Sequence, residues 1–465
     1  MVDQYASAPA VRAFATWEPV LRLLWGGGAR EQDAPALRVA GRISRDSWRL
    51  PRGRRPSDAD EAARAEDQRA EAAAVRQVQD ALAAAGVDTV SFTGKLAPDG
   101  KAVLRLLGPS PAVEPGGDDP GVLLLVQDAV PQPWRRLPDP VPAAVPAPSA
   151  DPALLERLLR ERLPGAVGAT EAELAAAESR LGVPLPEELK VLYRVARPRR
   201  GEPGEAQGAD ALDCEALEGE LFTLDDLYVA DAASRPRPWS VAAREAVLTP
   251  PDAAVQGLVG SPGWIAFGDN GGGDRLAVDL TPGPQGHTGQ IILLGHEQNI
   301  GAELVADSLT DLVRGQDLQG RGGAVGHGPP PVAYVNIHGL PSVGAAAHPG
   351  MEVLAIGVWE GDPLSLAPAA GLPRLRTLTA YPGTLADPLE IAGLTTLEFL
   401  EIGPDEWRVL LDAGAVPRGL SAAVVKVRGD EDPLLMVALA NEILALWRRP
   451  QIIRHRLEGT LDPLP

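Results

Sequence analysis

The chain is poor in cysteine, lysine and aromatic residues, and each shortage excludes something. Cys214 is the only cysteine in 465 residues. An intrachain disulfide and a thiolate metal cage are therefore both excluded, which fits a reducing cytoplasm. Lysine is scarce as well, with four residues against 39 arginines. Positive charge as a whole is short, at 43 Lys and Arg against 63 Asp and Glu, for a formal charge of −20. Such a balance argues against nucleic acid as a partner of the whole chain and would steer a basic protein partner toward it. No stretch approaches the roughly 18 apolar residues that cross a bilayer, and the opening residues lack a basic region followed by an apolar core, so no signal peptide is expected.

What is abundant is turn-forming residue: 46 Pro and 50 Gly within a chain that is 45% hydrophobic. Several globular units joined by linkers are expected. Residues 1–128 read as a small α+β unit. Its helices are expected over Val11 to Leu24 and Asp58 to Ala85, followed by a hairpin across Pro98-Asp99-Gly100 and a short strand over Val122 to Val126. The proline-dense stretch 129–152 is expected to be a semi-rigid spacer. A second unit spans 153–316, and a Gly-rich linker covers 317–330.

Residues 331–450 carry an internal repeat. Val353, Leu375 and Leu397 fall 22 residues apart, as do Ile356, Leu378 and Leu400. A period of 20–29 residues with L-x-x-L spacing predicts a short leucine-rich-repeat-like α/β solenoid with these six residues as its core. The apolar run from Pro433 to Trp447 supplies a capping helix, and 451–465 remains as a tail. Positions beside the leucines, namely Arg374, Arg376, Thr377, Thr379, Glu398 and Glu401, are expected to line an exposed concave sheet.

The middle unit holds the most informative stretches. Thr170 and Glu173 form a capping box ahead of a helix that ends at Gly182, and Glu178, Pro186 and Tyr193 follow a recognisable order. Downstream come Trp264 to Phe267, the turn Gly271-Gly272-Gly273-Asp274, and Asp279 on the next strand. Together these segments resemble the SUKH superfamily, over about a third of the chain. The resemblance implies an α+β domain with a central mixed sheet flanked by helices, and a non-catalytic binding role. Many bacterial members are similar to immunity proteins that neutralise toxins, and a fungal branch regulates cell-wall assembly through protein contacts.

Several chemical alternatives fail on spacing. Asp269, Asn270, Asp274 and Asp279 lack the alternating frame and distal Glu of a calcium loop, and no Lys-Ser/Thr follows the triple glycine to complete a phosphate loop. His287 and His296 have no adjacent nucleophile. Cys214 sits among acids that would raise its thiol pKa. No cofactor or metal is expected, and hydrolysis around Asp274 and Asp279 is the remote enzymatic alternative. Residues 201–231 carry ten acidic side chains and no Lys or Arg. Glu218, Glu220, Asp225 and Asp226, interleaved with Leu221, Phe222 and Tyr228, predict an acidic interface for a basic protein, in the leading case a toxin domain. A regulatory scaffold using the repeats is the alternative. No membrane partner is expected, and the oligomeric state stays open.

Overall fold

A computed structural model describes residues 9–26, 36–50, 61–108, 113–114, 123–126, 129–198, 213–214, 219–235, 239–246, 248–298, 300–315, 329–427 and 433–461. Its described elements form three sheets, each with its own helices and core.

The N-terminal sheet is antiparallel, in the order Arg454–Thr460, Lys101–Leu107, Thr89–Leu96, Leu37–Ser44 and Trp48–Arg49. Alternation along these strands sends Val39, Ile43, Val90, Phe92, Leu104 and Leu106 to one face. There they meet Trp17, Val20 and Leu21 of the helix Phe14–Trp25, and Val75, Val78 and Leu82 of the helix Glu61–Ala85. Trp17 meets Phe92 edge to face at 5.2 Å. The expected tail is thus a strand of this sheet: Arg454–Thr460 pairs along the whole of Lys101–Leu107.

The central unit opens with the helices Pro152–Arg162, Glu171–Leu181 and Glu187–Val195. Its strands run Glu303–Ala306, Gln290–Leu294, Arg275–Asp279, Trp264–Asp269, Gly219–Leu221 and Asp213–Cys214, with Tyr228–Val229 also on Trp264–Asp269. All the described pairings here are antiparallel, where a mixed sheet was expected. Both faces are covered, so Trp264–Asp269 reads as a continuous apolar run. Ile265 and Phe267 face the helices, while Trp264 and Ala266 face a second cluster with Leu258 and Ile292. The unit ends with the edge strand Glu303–Ala306 and the helix Leu309–Val313.

The proline-dense stretch is a bound strap, not a spacer. Trp134 Nε1 donates to the Arg235 carbonyl at 2.7 Å, and Asp139 N–H donates to Gln256 at 2.8 Å. Thr288 N–H donates to the Val145 carbonyl at 3.1 Å. These bonds hold the stretch along the central unit.

The third sheet is parallel over Val332–Val335, Val353–Ile356, Thr377–Ala380, Phe399–Ile402 and Ala422–Val425. Its register corrects the expected repeat alignment by two residues. Val353 pairs with Thr377, and Leu354, not Val353, lies on the core face beside Leu378 and Leu400. Met351 joins Leu375, Leu397 and Leu420 in one apolar row, and Ile356 joins Ala380, Ile402 and Val425 in another. The error arises because the first connection is longer than the second, so a fixed period slips. Leu123–Val126 joins this sheet antiparallel to Ala422–Val425, with Val113–Glu114 paired beyond it, instead of belonging to the N-terminal sheet. The helix Pro433–Leu446 supplies Met436, Val437, Ala440, Ile443 and Leu444 to the same core.

Candidate binding surface and its internal bracing

The helical corner of the central domain is fixed by polar residues bonded within it. Thr170 Oγ1 accepts from Glu173 N–H, and Glu173 accepts from Thr170 N–H at 2.8 Å, the reciprocal cap read from the sequence. Gly182 sits at φ +70°, the left-handed region that favours glycine. Pro186 stands at the N-cap of the next helix. Glu178 bridges the corner: it accepts from Leu185 N–H at 2.9 Å and pairs with Lys190 at 2.8 Å. The Lys190 ammonium and then the Leu185 N–H hold its carboxyl below the ordinary range. Tyr193 is buried, with its hydroxyl donating to the Phe222 carbonyl at 2.9 Å.

The glycine turn is equally self-contained. Asp269 accepts from Gly271 N–H at 2.6 Å and pairs with Arg275. Asn270 accepts from Gly272 N–H at 2.8 Å and donates to Asp274 at 2.8 Å. Asp274 also receives His296 N–H at 2.8 Å and lies 2.7 Å from His296 Nδ1. These bonds, led by the His296 N–H, lower its pKa. Gly271 and Gly273 have positive φ, which places successive N–H groups on the turn's own carboxylate and amide oxygens.

Asp279 is wholly buried on the adjoining strand. Its Oδ1 accepts from Trp264 Nε1 at 3.0 Å and Thr281 N–H at 2.7 Å, and Oδ2 accepts from Gln290 Nε2 at 2.9 Å. Burial nevertheless pushes its pKa up to about 6, against the lowering effect of those donors. Trp264 and Phe267 are both core residues, on opposite faces of their strand. Among the described residues no group of three or more His, Cys, Asp or Glu could hold a metal ion. His287 contributes its backbone N–H to Gln290, at 2.9 Å.

The expected acidic interface is only partly at the surface. Glu218 lies outside the described residues. Glu220 and Asp225 are exposed, whereas Asp226 accepts from Thr223 Oγ1 at 2.7 Å and is half-buried. Leu221 is 4% exposed and belongs to the core with Leu224 and Leu227. Phe222 and Tyr228 stack on each other at 6.5 Å, half-buried, with Arg275 over the Phe222 ring. The apolar residues expected to anchor a partner therefore anchor this chain's own sheet. Alternating charge and apolarity carried both readings, and the edge pairing of Gly219–Leu221 with Trp264–Asp269 decides between them.

The concave face expected to be open is also filled. The segment Trp239–Glu245 of the central domain lies against it, forming a cluster of Trp239, Ala243, Phe399, Ala422 and Val424. Arg376 is 6% exposed and donates to the Ala243 carbonyl at 2.9 Å and the Glu245 carbonyl at 2.5 Å. Glu352 neutralises it from the sheet side at 3.2 Å. Thr377 Oγ1 donates to Ala243 as well, at 2.6 Å. Glu401 is buried between Arg244 and Lys426. Thr379 is buried too, while Arg374 remains exposed and Glu398 half-buried beside Arg135.

Sequence reasoning missed Trp239 and Glu188, and it placed Arg376 on an exposed face where the structure buries it. Glu188 looks like a surface residue of a helix's first turn, yet it is buried. It accepts from Leu309 N–H at 3.0 Å and Thr310 Oγ1 at 2.5 Å. Its partners lie 121 and 122 residues away, so no local pattern announces them.

Residues 168–315 match the SMI1/KNR4 family (SUKH-1), and the chain thus carries a SUKH domain. It is 34% identical over 138 residues to the cell wall biosynthesis/cell cycle regulator smi1 of Schizosaccharomyces pombe. It is 32% identical over 156 residues to a glucan synthesis regulatory protein of Neurospora crassa. A KNR4/SMI1 homolog of Yarrowia lipolytica is 47% identical over 47 residues, 10% of this chain and 7% of that protein. The first two matches each cover 28% of this chain, and 27% and 29% of the respective relatives. The similarity is therefore one of domains, spanning little more than a quarter of those regulators. No helix among the described residues is long and apolar enough to cross a membrane.

Proposed function

We propose that this chain is a non-enzymatic protein-recognition adaptor, acting in the cytoplasm, in which the SUKH domain engages a protein partner and the leucine-rich-repeat-like sheet braces it. The observation that carries this reading is the use of the domain's motif side chains. Glu178, Asp269, Asn270, Asp274 and Asp279 each spend their polar atoms on neighbouring residues of the chain. What such a domain offers a partner is a shaped and charged surface, not a reacting group. The regulatory names of the two longest-matching relatives agree with that role.

A narrower reading makes the partner a basic toxin domain, blocked sterically and electrostatically in the manner of an immunity protein. Its specific support is the formal charge of −20 together with the exposed Glu220 and Asp225. Affinity capture from the lysate of the native cell distinguishes these readings. Bait would be the full chain and the variant Glu218→Gln, Glu220→Gln, Asp225→Asn, with retained proteins identified by mass spectrometry. Loss of a basic toxin-like protein from the variant alone supports the immunity reading. Equal retention of one protein by both baits supports the adaptor with its contact elsewhere. If the full chain retains no protein reproducibly, the recognition role fails.

A further inference from the structure

One side chain of the central domain reads the main chain of the proline-dense strap. Gln256 is 2% exposed. Its Oε1 accepts the Asp139 N–H at 2.8 Å, and its Nε2 donates to the Asp139 carbonyl at 2.8 Å. Asp139 stands in Leu137-Pro138-Asp139-Pro140-Val141-Pro142, where every second residue is proline and lacks an N–H. Gln256 thus grips both main-chain polar groups of a residue set between prolines. Further along, the Val145 carbonyl accepts the Thr288 N–H at 3.1 Å. None of residues 137–146 is buried, and Leu137 and Val145 are 73% and 61% exposed. The middle of the strap is therefore held by its main chain. Its ends are fixed by side chains: Trp134 Nε1 donates to the Arg235 carbonyl, Ala147 is buried, and Ser149 Oγ donates to Asp311.

Bonds within the domain set Gln256 in place. Its Nε2 also donates to the carbonyls of Thr281 and Pro282, at 3.2 and 3.1 Å. The Ala254 carbonyl accepts from Gly283 N–H at 2.7 Å and from Gln290 Nε2 at 2.8 Å. Gln290 Nε2 also donates to Asp279, which accepts the Thr281 N–H. The buried motif carboxylate thereby fastens together the loops that supply Gln256 and Thr288.

We propose that these loops form a docking groove for a proline-rich segment of a partner protein, and that this chain's own residues 137–146 occupy it in cis. The grip on Asp139 uses no atom of its side chain, so it suits any residue set between prolines. Proline fixes φ near about −65° and pushes the residue before it toward extended geometry. Such a segment has its bound shape beforehand and loses little freedom on docking. Release of residues 137–146 uncovers little apolar surface of their own, since none is buried. Gln256 Oε1, whose described donor is the Asp139 N–H, then needs another. An incoming Pro-x-Pro segment supplies it. The proposal rests on the protein-recognition reading of the SUKH domain, and a defined peptide tests it separately from capture out of a lysate.

The test uses the native chain and the variant Pro138→Gly, Pro140→Gly, Pro142→Gly, which loosens the strap. The probe is a fluorescent peptide with the sequence of residues 136–147, and its control carries glycine in place of every proline. The proposal expects the variant to bind the proline peptide saturably and at least about tenfold more tightly than the native chain, where the tethered strap competes. The glycine control is expected to bind neither protein. Amide hydrogen exchange reads the place of binding: exchange at Thr288 quickens in the variant and slows again with peptide. In the native chain, peptide at about millimolar concentration, the range set by a short tether, quickens exchange at Asp139 while Thr288 stays slow. That arm needs no substitution, so it decides the matter even where the variant fails to fold. No saturable binding to either protein, equal binding of the glycine control, or binding that leaves Asp139 and Thr288 unchanged would overturn the proposal. A strap-exchanged dimer that takes up no peptide would overturn it too, assigning the groove to a second copy of the chain.

Discussion

Trp239 lies flat against Phe399, with ring centroids 6.4 Å apart and planes inclined by 15°. One ring belongs to the SUKH domain and the other to the parallel sheet, so the contact joins two units that lie far apart in sequence. Trp239 Nε1 also donates to the Ala129 carbonyl at 2.9 Å, tying the proline-dense strap to the same point. The face that a repeat sheet would ordinarily present to a partner is thereby covered over these strands.

Arg376 is the polar counterpart of that contact. Arg376→Met would leave the Ala243 and Glu245 carbonyls short of donors and take from buried Glu352 one of its two countercharges, Arg374 being the other. A loss of about 3 kcal/mol is expected from such an arrangement. Adding Glu352→Gln to the same chain also removes the ion pair with Arg374 and is expected to recover none of the loss. Denaturant unfolding of the native, single and double variants reads both quantities.

Asp279 predicts a pH dependence of known sign. Its folded-state pKa is about 6, above the ordinary value of about 3.9 for an unfolded aspartate. Between those values the folded state binds more protons. Its contribution is therefore fully present below about pH 4, declines as pH rises, and levels off above about pH 6, a span of up to about 3 kcal/mol. Asp279→Asn removes that slope. The amide would also set a donor against Gln290 Nε2, so the variant is expected to unfold at a lower temperature near neutral pH. Unfolding free energies measured from pH 4 to 7 on both proteins give the answer.

Glu178 is expected to act through folding alone. Glu178→Ala leaves Leu185 N–H without that acceptor and Lys190 without that partner, at a cost of about 1–2 kcal/mol. Gly182→Ala, at a positive φ with open space around it, is expected to cost about 1 kcal/mol through backbone strain. Neither substitution should change the charge-dependent capture described above beyond the loss of folded protein, as followed by circular dichroism and capture in parallel.

Legibility in the sequence followed the range of each interaction. The Thr170–Glu173 cap, the Gly182 terminus and the Thr89–Leu96/Lys101–Leu107 hairpin depend on residues a few positions apart, and their signals are local. The pairing of Arg454–Thr460 with Lys101–Leu107 links segments far apart in the chain, and no periodicity announces it. The repeat was visible but its register was not, since connections of unequal length shift Val353 off the core face while keeping the leucine pattern. Leu221 shows the same limit at the candidate site: an apolar residue among acids reads equally well as a partner anchor or as an edge strand's inward side chain. Arg376 and Thr377 looked like free surface because their cover comes from the central domain.

The central claim is that the SUKH domain and the parallel sheet form one braced body. Differential scanning calorimetry of the full chain and of Trp239→Ala tests it most directly. A buried tryptophan lost from a packed interface costs about 3–5 kcal/mol. The account predicts that the two units unfold together in the native chain and that the variant separates them into two transitions, the first at a lower temperature. Two transitions already present in the native chain, and left unmoved by Trp239→Ala, would contradict it.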